Sequence, residues 1–421
     1  MHSKKSPPAR VYDAVSIFLA PIKITSSQMK NLPPSGRELK IIDAIDRHPE
    51  RRLPLIEYGQ QRINIKLTPK LAYLSNIPWA ALVIQADLII DEPITFEQLL
   101  AFNVGFRQFR GNIKPQDSCF SINPSDFHAA VLGKAENKGV MKAPSALYQE
   151  YAELLFPQHK GISTFSFLPK LKKAVVVSYA RFDQALNDRD LYRFGTVAYP
   201  GEPVDDQWAA GFEQNRFDRW AGANWRCFAH SYSLVFALGQ TPEGIDRNDN
   251  DIKTTFCTDY MAMGASIAIQ RAWLQELPET VRNSDDMRGI RACHEQMVMI
   301  NSLFGLRWTS EGTQRMRIEQ LWRRSTGIDD RLHETQKLLN QKIEVRETEA
   351  AEKLNNLVMA LQIVLGGAAG AQIGLAAYDP KTWSYGLAGF LWALVILLLI
   401  WPLYKGYERL KKFITARSFR K

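Results

Sequence analysis

Apolar positions along the chain fall into three regimes. In the first, short β-branched or apolar runs at Val15 to Ile24, Ile63 to Leu67, Ala80 to Ile90 and Ala174 to Tyr179 are bounded by proline, glycine or charge, and they predict strands. Phe96 to Phe109 and Thr258 to Leu277 read as helices, so this part of the chain mixes helix and sheet. In the second regime, Thr309 to Asn356, polar residues dominate, while Ile318, Leu321, Trp322, Ile328, Leu332, Leu338, Leu339 and Ile343 recur at helical intervals. Ser325-Thr326-Gly327 interrupts that pattern, and Asp329 and Asp330 suit the first turn of a restarted helix, which predicts a stalk in two pieces. A polar stretch from Gly133 to Pro144 marks a weak boundary.

The third regime is free of charge. Leu357 to Tyr378 and Leu387 to Tyr404 are each about as long as the roughly 20 residues that cross a hydrocarbon core. Asp379-Pro380-Lys381-Thr382 breaks the helix between them, so the expectation is an antiparallel hairpin. At about 100° per residue, Asn355, Met359, Gln362, Gly366, Ala369 and Ile373 share one face of the first stretch. That small, partly polar stripe fits a pore lining; equally, Gly366 and Gly370 fit a close helix contact bridged by Gln362.

Charge fixes an orientation for this hairpin. The formal net charge of the 421 residues is +9, and much of the excess lies in Lys405, Arg409, Lys411, Lys412, Arg417, Arg420 and Lys421. Basic residues after an apolar stretch are held on the cytoplasmic side and attract anionic lipid, so no nucleic acid partner is invoked. Two crossings then leave both termini cytoplasmic, at an inner cell membrane. The first apolar run contains Pro21 and reads as a strand and not as a signal peptide. Cys119, Cys227, Cys257 and Cys293 are widely spaced, without the pairing of a zinc site, and read as reduced thiols.

Motifs for chemistry are sparse. Asp246-Arg-Asn248-Asp249-Asn250-Asp251 gathers oxygen ligands, but Asp251 stands where a calcium loop has glycine and Cys257 where it has its closing carboxylate. A solvated turn is one reading, and a divalent-cation sensor on Asp249 and Asp251 is the other. His294-Glu295 beside Cys293 lacks matching ligands elsewhere, and no phosphate-cradling, dinucleotide or nucleophile-elbow motif occurs. No enzymatic activity and no bound cofactor are therefore expected. Arg216, Arg219, Trp220, Trp225 and Arg226 interleave charge and aromatics, yet Phe212, Phe217 and Trp220 fit a half-buried helix better than a nucleotide stack.

Two segments carry a resemblance. Thr258 to Arg271, ending in Gln270-Arg271 and followed by Ala-Trp-Leu, and Asn301 to Trp322, containing Arg307-Trp308-Thr-Ser310, resemble the CorA-like family of divalent-cation transporters, as does the order of parts over the whole chain. The resemblance implies a homopentamer with five first spans around a central path, Asn355 or Asn356 then Met359 and Gln362 as its polar neck, and gating by the cytoplasmic domain. The family's Gly-Met-Asn triplet is absent; Leu375 to Pro380 stands in its place, so Tyr378 or Asp379 would form the pore mouth. Ile373 would form a hydrophobic constriction.

The fold class expected is thus an α+β cytoplasmic domain with a mixed sheet over 1–300, a long stalk helix over 301–356, two C-terminal transmembrane helices at 357–378 and 387–404, and a basic tail over 405–421. The function expected is a CorA-like membrane channel for cations, with Mg2+ or a similar ion as substrate or regulator. Its alternative is a membrane-anchored signalling or defence effector whose cytoplasmic domain binds a nucleotide messenger, and a non-conducting scaffold needs only the hairpin. The lipid bilayer is the partner common to all three.

Overall fold

A computed structural model describes residues 9–30, 32–35, 39–43, 55–58, 63–75, 77–107, 120–122, 141–142, 148, 151–152, 166–167, 173–204, 208–217, 225–239, 249–305, 313–378 and 391. The chain divides into two compact units, Met1–Leu339 and Asn340–Lys421.

The first unit is built on one mixed sheet. Its strands are β1 (Arg10–Lys23), β2 (Lys40–Asp43), β3 (Leu55–Tyr58), β4 (Ile63–Tyr73), β5 (Trp79–Ile89), β6 (Ile94–Thr95), β7 (Phe120–Ile122), β8 (Met141–Lys142), β9 (Ser166–Phe167), β10 (Val175–Phe182), β11 (Arg216–Phe217), β12 (Trp225–His230) and β13 (Ser233–Gly239). They are ordered β11-β12-β13-β10-β1-β5-β4-β3-β7-β8, with β2 on β4 and β6 and β9 on β1. Neighbours are antiparallel except β10 and β13, which run parallel. β1 is buried on both faces from Val15 to Ile22, which is why its sequence is a continuous apolar run and not an alternation. Pro21 sits where the ladder to β10 has ended at Leu19 and the pairing with β9 begins at Ile22, so its missing N–H falls in a gap.

Helices cover both faces. They are α1 (Ser26–Lys30), α2 (Phe96–Phe106), α3 (Asp188–Thr196), α4 (Trp208–Asn215), α5 (Asp249–Thr255), α6 (Met261–Asn283), α7 (Met287–Gly305), α8 (Thr313–Thr326) and α9 (Ile328–Tyr378). Ahead of α6, Phe256–Tyr260 forms a π-helical turn, a widening that the helical pattern from Thr258 did not signal. α6 lies against β1, β5 and β10, and Gly264 allows the approach: a Cβ there would stand 2.6 Å from Leu19 Cδ1 and 2.7 Å from Val177 Cγ2. On the opposite face α2 packs Phe102 and Phe106 on Phe18. Each of these buried side chains contributes about 1.5–3 kcal/mol.

A fully buried polar cluster lies between β1, β10 and α2. Ser16 Oγ donates to Asn103 Oδ1 at 2.7 Å, and Ser178 Oγ lies 3.0 Å from Ser16 Oγ and accepts from Asn103 Nδ2 at 3.2 Å. This closed triangle joins β1, β10 and α2, and it satisfies groups that would each cost about 1–3 kcal/mol if left unpaired. Thr95 and Gln98 form a capping box at the start of α2. Glu97 in the first turn of α2 takes a two-pronged bond from Arg193 of α3, at 2.6 and 2.9 Å, which draws its carboxyl below the ordinary value.

The break expected at Ser325-Thr326-Gly327 separates α8 from α9: Gly327 has φ +66°, a left-handed conformation suited to glycine. α9 then runs from Ile328 through the first charge-free stretch to Tyr378. Here the expectation is corrected. Among the described residues no helix is long and apolar enough to cross a membrane. α9 is densely charged from Asp329 up to Lys353. The two C-terminal transmembrane helices, the channel and magnesium-transport assignment that depended on them, and the multi-pass inner-membrane localisation are withdrawn on this finding. The second stretch, 387–404, lies outside the described residues apart from Leu391, as does the basic tail.

Candidate functional site

The residues first expected to act do not assemble into a site. Asn355, Asn356, Met359, Gln362 and Gly366 are exposed positions on α9, and Ile373 and Tyr378 belong to the same helix with side chains outside the described set. Asp379 lies outside the described residues. Asp249 and Asp251 fall in the first turn of α5, where the sequence read as a turn, and their side chains are likewise not described. Among the described residues no group of three or more His, Cys, Asp or Glu is placed to hold a metal ion. Cys227, Cys257 and Cys293 form no disulfide among the described residues. Arg216 and Arg226 lie over the Phe212 ring, and Arg226 pairs with Asp188 at 2.6 Å, a structural use of the charges flagged between 216 and 226.

A different constellation forms where the sheet ends, at the start of β10 and the turn between β12 and β13. Four segments meet there. Arg107 caps the C-terminus of α2, with its N–H bonded to Asn103 O, and its own carbonyl accepts from Ala174 N at 2.7 Å, which brings Lys173 alongside. Tyr232 O accepts from Val176 N at 2.8 Å and ties the β12–β13 turn to the same place. From the other face of the sheet, Arg271 of α6 donates through Nη1 to Ser231 O, and its guanidinium lies 4.0 Å over the Tyr232 ring. Trp322 of α8 donates through Nε1 to His230 O at 3.1 Å.

The electrostatics of this cluster are one-sided. Arg107 is 7% exposed and Arg271 6%. Burial depresses the pKa of both, with Tyr199, Glu202 and Tyr232 partly opposing it at Arg107. Lys173 is also depressed, by burial first and then by Arg107. His230 is held below its usual range by burial and by both Arg107 and Arg271. Glu202, an exposed carboxylate, lies close enough to oppose part of this depression at Arg107 and Lys173. Arg107 Nη1 reaches Thr196 O only at 3.5 Å, and its Nε is buried with no hydrogen-bond partner. A buried guanidinium donor left unmade is costly, and the crowding of like charge adds to that cost. An anion seated here would relieve both.

His230 Nδ1 and Ser231 Oγ are 3.3 Å apart and are sequence neighbours in a tight turn. Planar guanidiniums presenting several N–H groups match the oxygens of phosphate or carboxylate. Sequence reasoning missed the cluster because Arg107, Lys173, His230 and Arg271 are far apart in the chain and follow no motif. The one available signal was Arg271 in the middle of an otherwise small and apolar helical run, since an arginine on a buried helix face requires a partner. No family model, no curated protein and no solved structure matches this chain.

Proposed function

We propose that the first unit is a sensor domain that binds a phosphate-bearing small molecule, a nucleotide among the candidates, at the Arg107–Lys173–His230–Arg271 cluster. The observation that carries this reading is the buried, unpartnered Nε of Arg107 amid three further basic groups. Binding without catalysis is proposed, as the nucleotide-binding half of the alternative drawn from the sequence. Conduction of cations is left out, because no described helix is long and apolar enough to carry it. The resemblance to CorA-like proteins gives this proposal no support of its own.

The test is calorimetric titration of the full chain with ATP, AMP and adenosine. Affinity falling in that order, and falling further with added salt, supports the reading. Equal binding of adenosine and ATP, or ATP binding that is unchanged when Arg107 and Lys173 are both replaced by methionine, overturns it.

A further inference from the structure

The segment that follows α3 reaches the basic cluster and brings an exposed aromatic residue to it. Thr196 O lies 3.5 Å from Arg107 Nη1, and Gly195 O accepts from Ser233 Oγ at the start of β13, so the end of α3 is tied to the place where the cluster forms. Val197 follows in the left-handed conformation, with φ 52° and ψ 52°, and its N–H bonds to Phe194 O. A β-branched residue is strained there, and strain of that kind gathers at ligand sites and switches. Two residues on, Tyr199 comes beside Arg107. Of the groups that support the Arg107 charge against burial, Tyr199 is the strongest, ahead of Glu202 and Tyr232.

Tyr199 is 50% exposed, yet its backbone is fixed. Pro200 and Gly201, the latter with φ +70°, make a tight turn in which Glu202 N donates to Tyr199 O at 3.0 Å. Tyr199 N donates in return to Glu202 Oε2 at 2.8 Å, and Gly201 N donates to Glu97 Oε2 at 3.0 Å. An aromatic side chain on a turn stiffened in this way has little freedom to lose when a ligand packs on it.

Glu202 narrows the ligand further. An exposed carboxylate this close to Arg107 and Lys173 repels a bare anion, and the repulsion is offset only by a ligand that also carries N–H or O–H donors. The cluster thus makes three demands: negative charge for the buried guanidinium, donors for the carboxylate and a flat face for the ring. Inorganic phosphate meets the first alone. A nucleotide meets all three, through its phosphates, its ribose hydroxyls and its base.

We infer that the ligand of this cluster is a nucleotide whose base stacks on Tyr199, an inference that rests on the phosphate-binding reading of Arg107 and Lys173. ATP and inorganic tripolyphosphate, which lacks base and sugar, serve as probes in calorimetric titrations of the full chain. The parent is expected to bind ATP at least fivefold more tightly than tripolyphosphate. Tyr199→Ala is expected to weaken ATP about tenfold, the usual scale for loss of one stacked base, while tripolyphosphate affinity stays within about twofold and reports that the site is still folded. Tyr199→Phe keeps the ring and is expected to keep ATP affinity. The inference is overturned if tripolyphosphate binds the parent as tightly as ATP, if Tyr199→Ala leaves ATP unchanged or weakens both probes alike, or if Tyr199→Phe loses as much as Tyr199→Ala. If neither probe binds the parent, the phosphate-binding reading itself fails and takes this one with it.

Discussion

The guanidinium of Arg271 lies 4.0 Å over the ring of Tyr232 while one of its nitrogens donates to the neighbouring carbonyl of Ser231. One side chain on α6 thereby grips both residues of the β12–β13 turn from the face of the sheet opposite α2. Arg271→Lys keeps the charge and loses the flat fork, so a destabilisation of about 1–2 kcal/mol is expected in urea unfolding. An unchanged unfolding midpoint would mean that the turn is held by its ladder alone.

Arg107 is expected to separate stability from binding. Replacing a buried charge by an apolar side chain of similar size is often neutral or stabilising, by up to about 1–4 kcal/mol. Arg107→Met should therefore fold at least as well as the parent while losing tenfold or more in ATP affinity. Loss of both together would make Arg107 a structural residue.

Gly264 sets the distance between α6 and the sheet. The added methyl group of Gly264→Ala would meet Leu19, Val177 and, at 3.3 Å, Trp322 Cη2. Overpacking of this kind costs about 1–3 kcal/mol, read as a lower thermal midpoint. Gly366→Ala on α9, where an added Cβ meets nothing within 4 Å, is the control and should be stable or slightly stabilising.

Two buried groups pull stability in opposite directions with pH. His230 is depressed from its ordinary 6.5, so the unfolded chain takes up that proton more readily; its contribution is complete above about 6.5 and is lost as pH falls below. Burial lifts Glu319 from 4.5 to about 7, so the folded chain holds that proton more tightly, and the contribution present below 4.5 is lost as pH rises through about 7. Glu319→Gln is expected to match the parent at pH 4 and to exceed it by about 2 kcal/mol at pH 8. Urea titrations at the two pH values check this, and a difference independent of pH would refute it.

Much of the sheet was legible in the chain. The runs at Val15, Ile63, Ala80 and Ala174 all lie on strands: those of β1, β5 and β10 are nearly continuous because both faces are covered, whereas β4 alternates buried Ile65 and Leu67 with exposed Lys66. The interruption at Ser325 to Gly327 was legible because a residue with positive φ between two helices is most readily glycine. Hydropathy misleads at the other end: the charge-free stretch from Leu357 reads as a crossing, yet it is the end of a helix that is charged through its first half, up to Lys353, and no described helix is long and apolar enough to cross a membrane. Apart from Arg271 on its apolar helical run, the basic cluster left no trace in local pattern, since its members come from α2, the start of β10, the β12–β13 turn and α6. Only the pairing of β10 with β13 and the packing of α6 bring them together.

The triangle of Ser16, Ser178 and Asn103 has a kinetic consequence. Ser16 and Ser178 are 162 positions apart, and their strands form the ladder at the middle of the sheet. A ladder between such distant segments closes only after a long loop has been ordered, so refolding on the scale of milliseconds to seconds or slower is expected. During synthesis, β1 emerges with its apolar run and waits for β10 to be translated. Over that interval β1 can pair with β5 on one side only, and its other, apolar edge stays open to wrong partners.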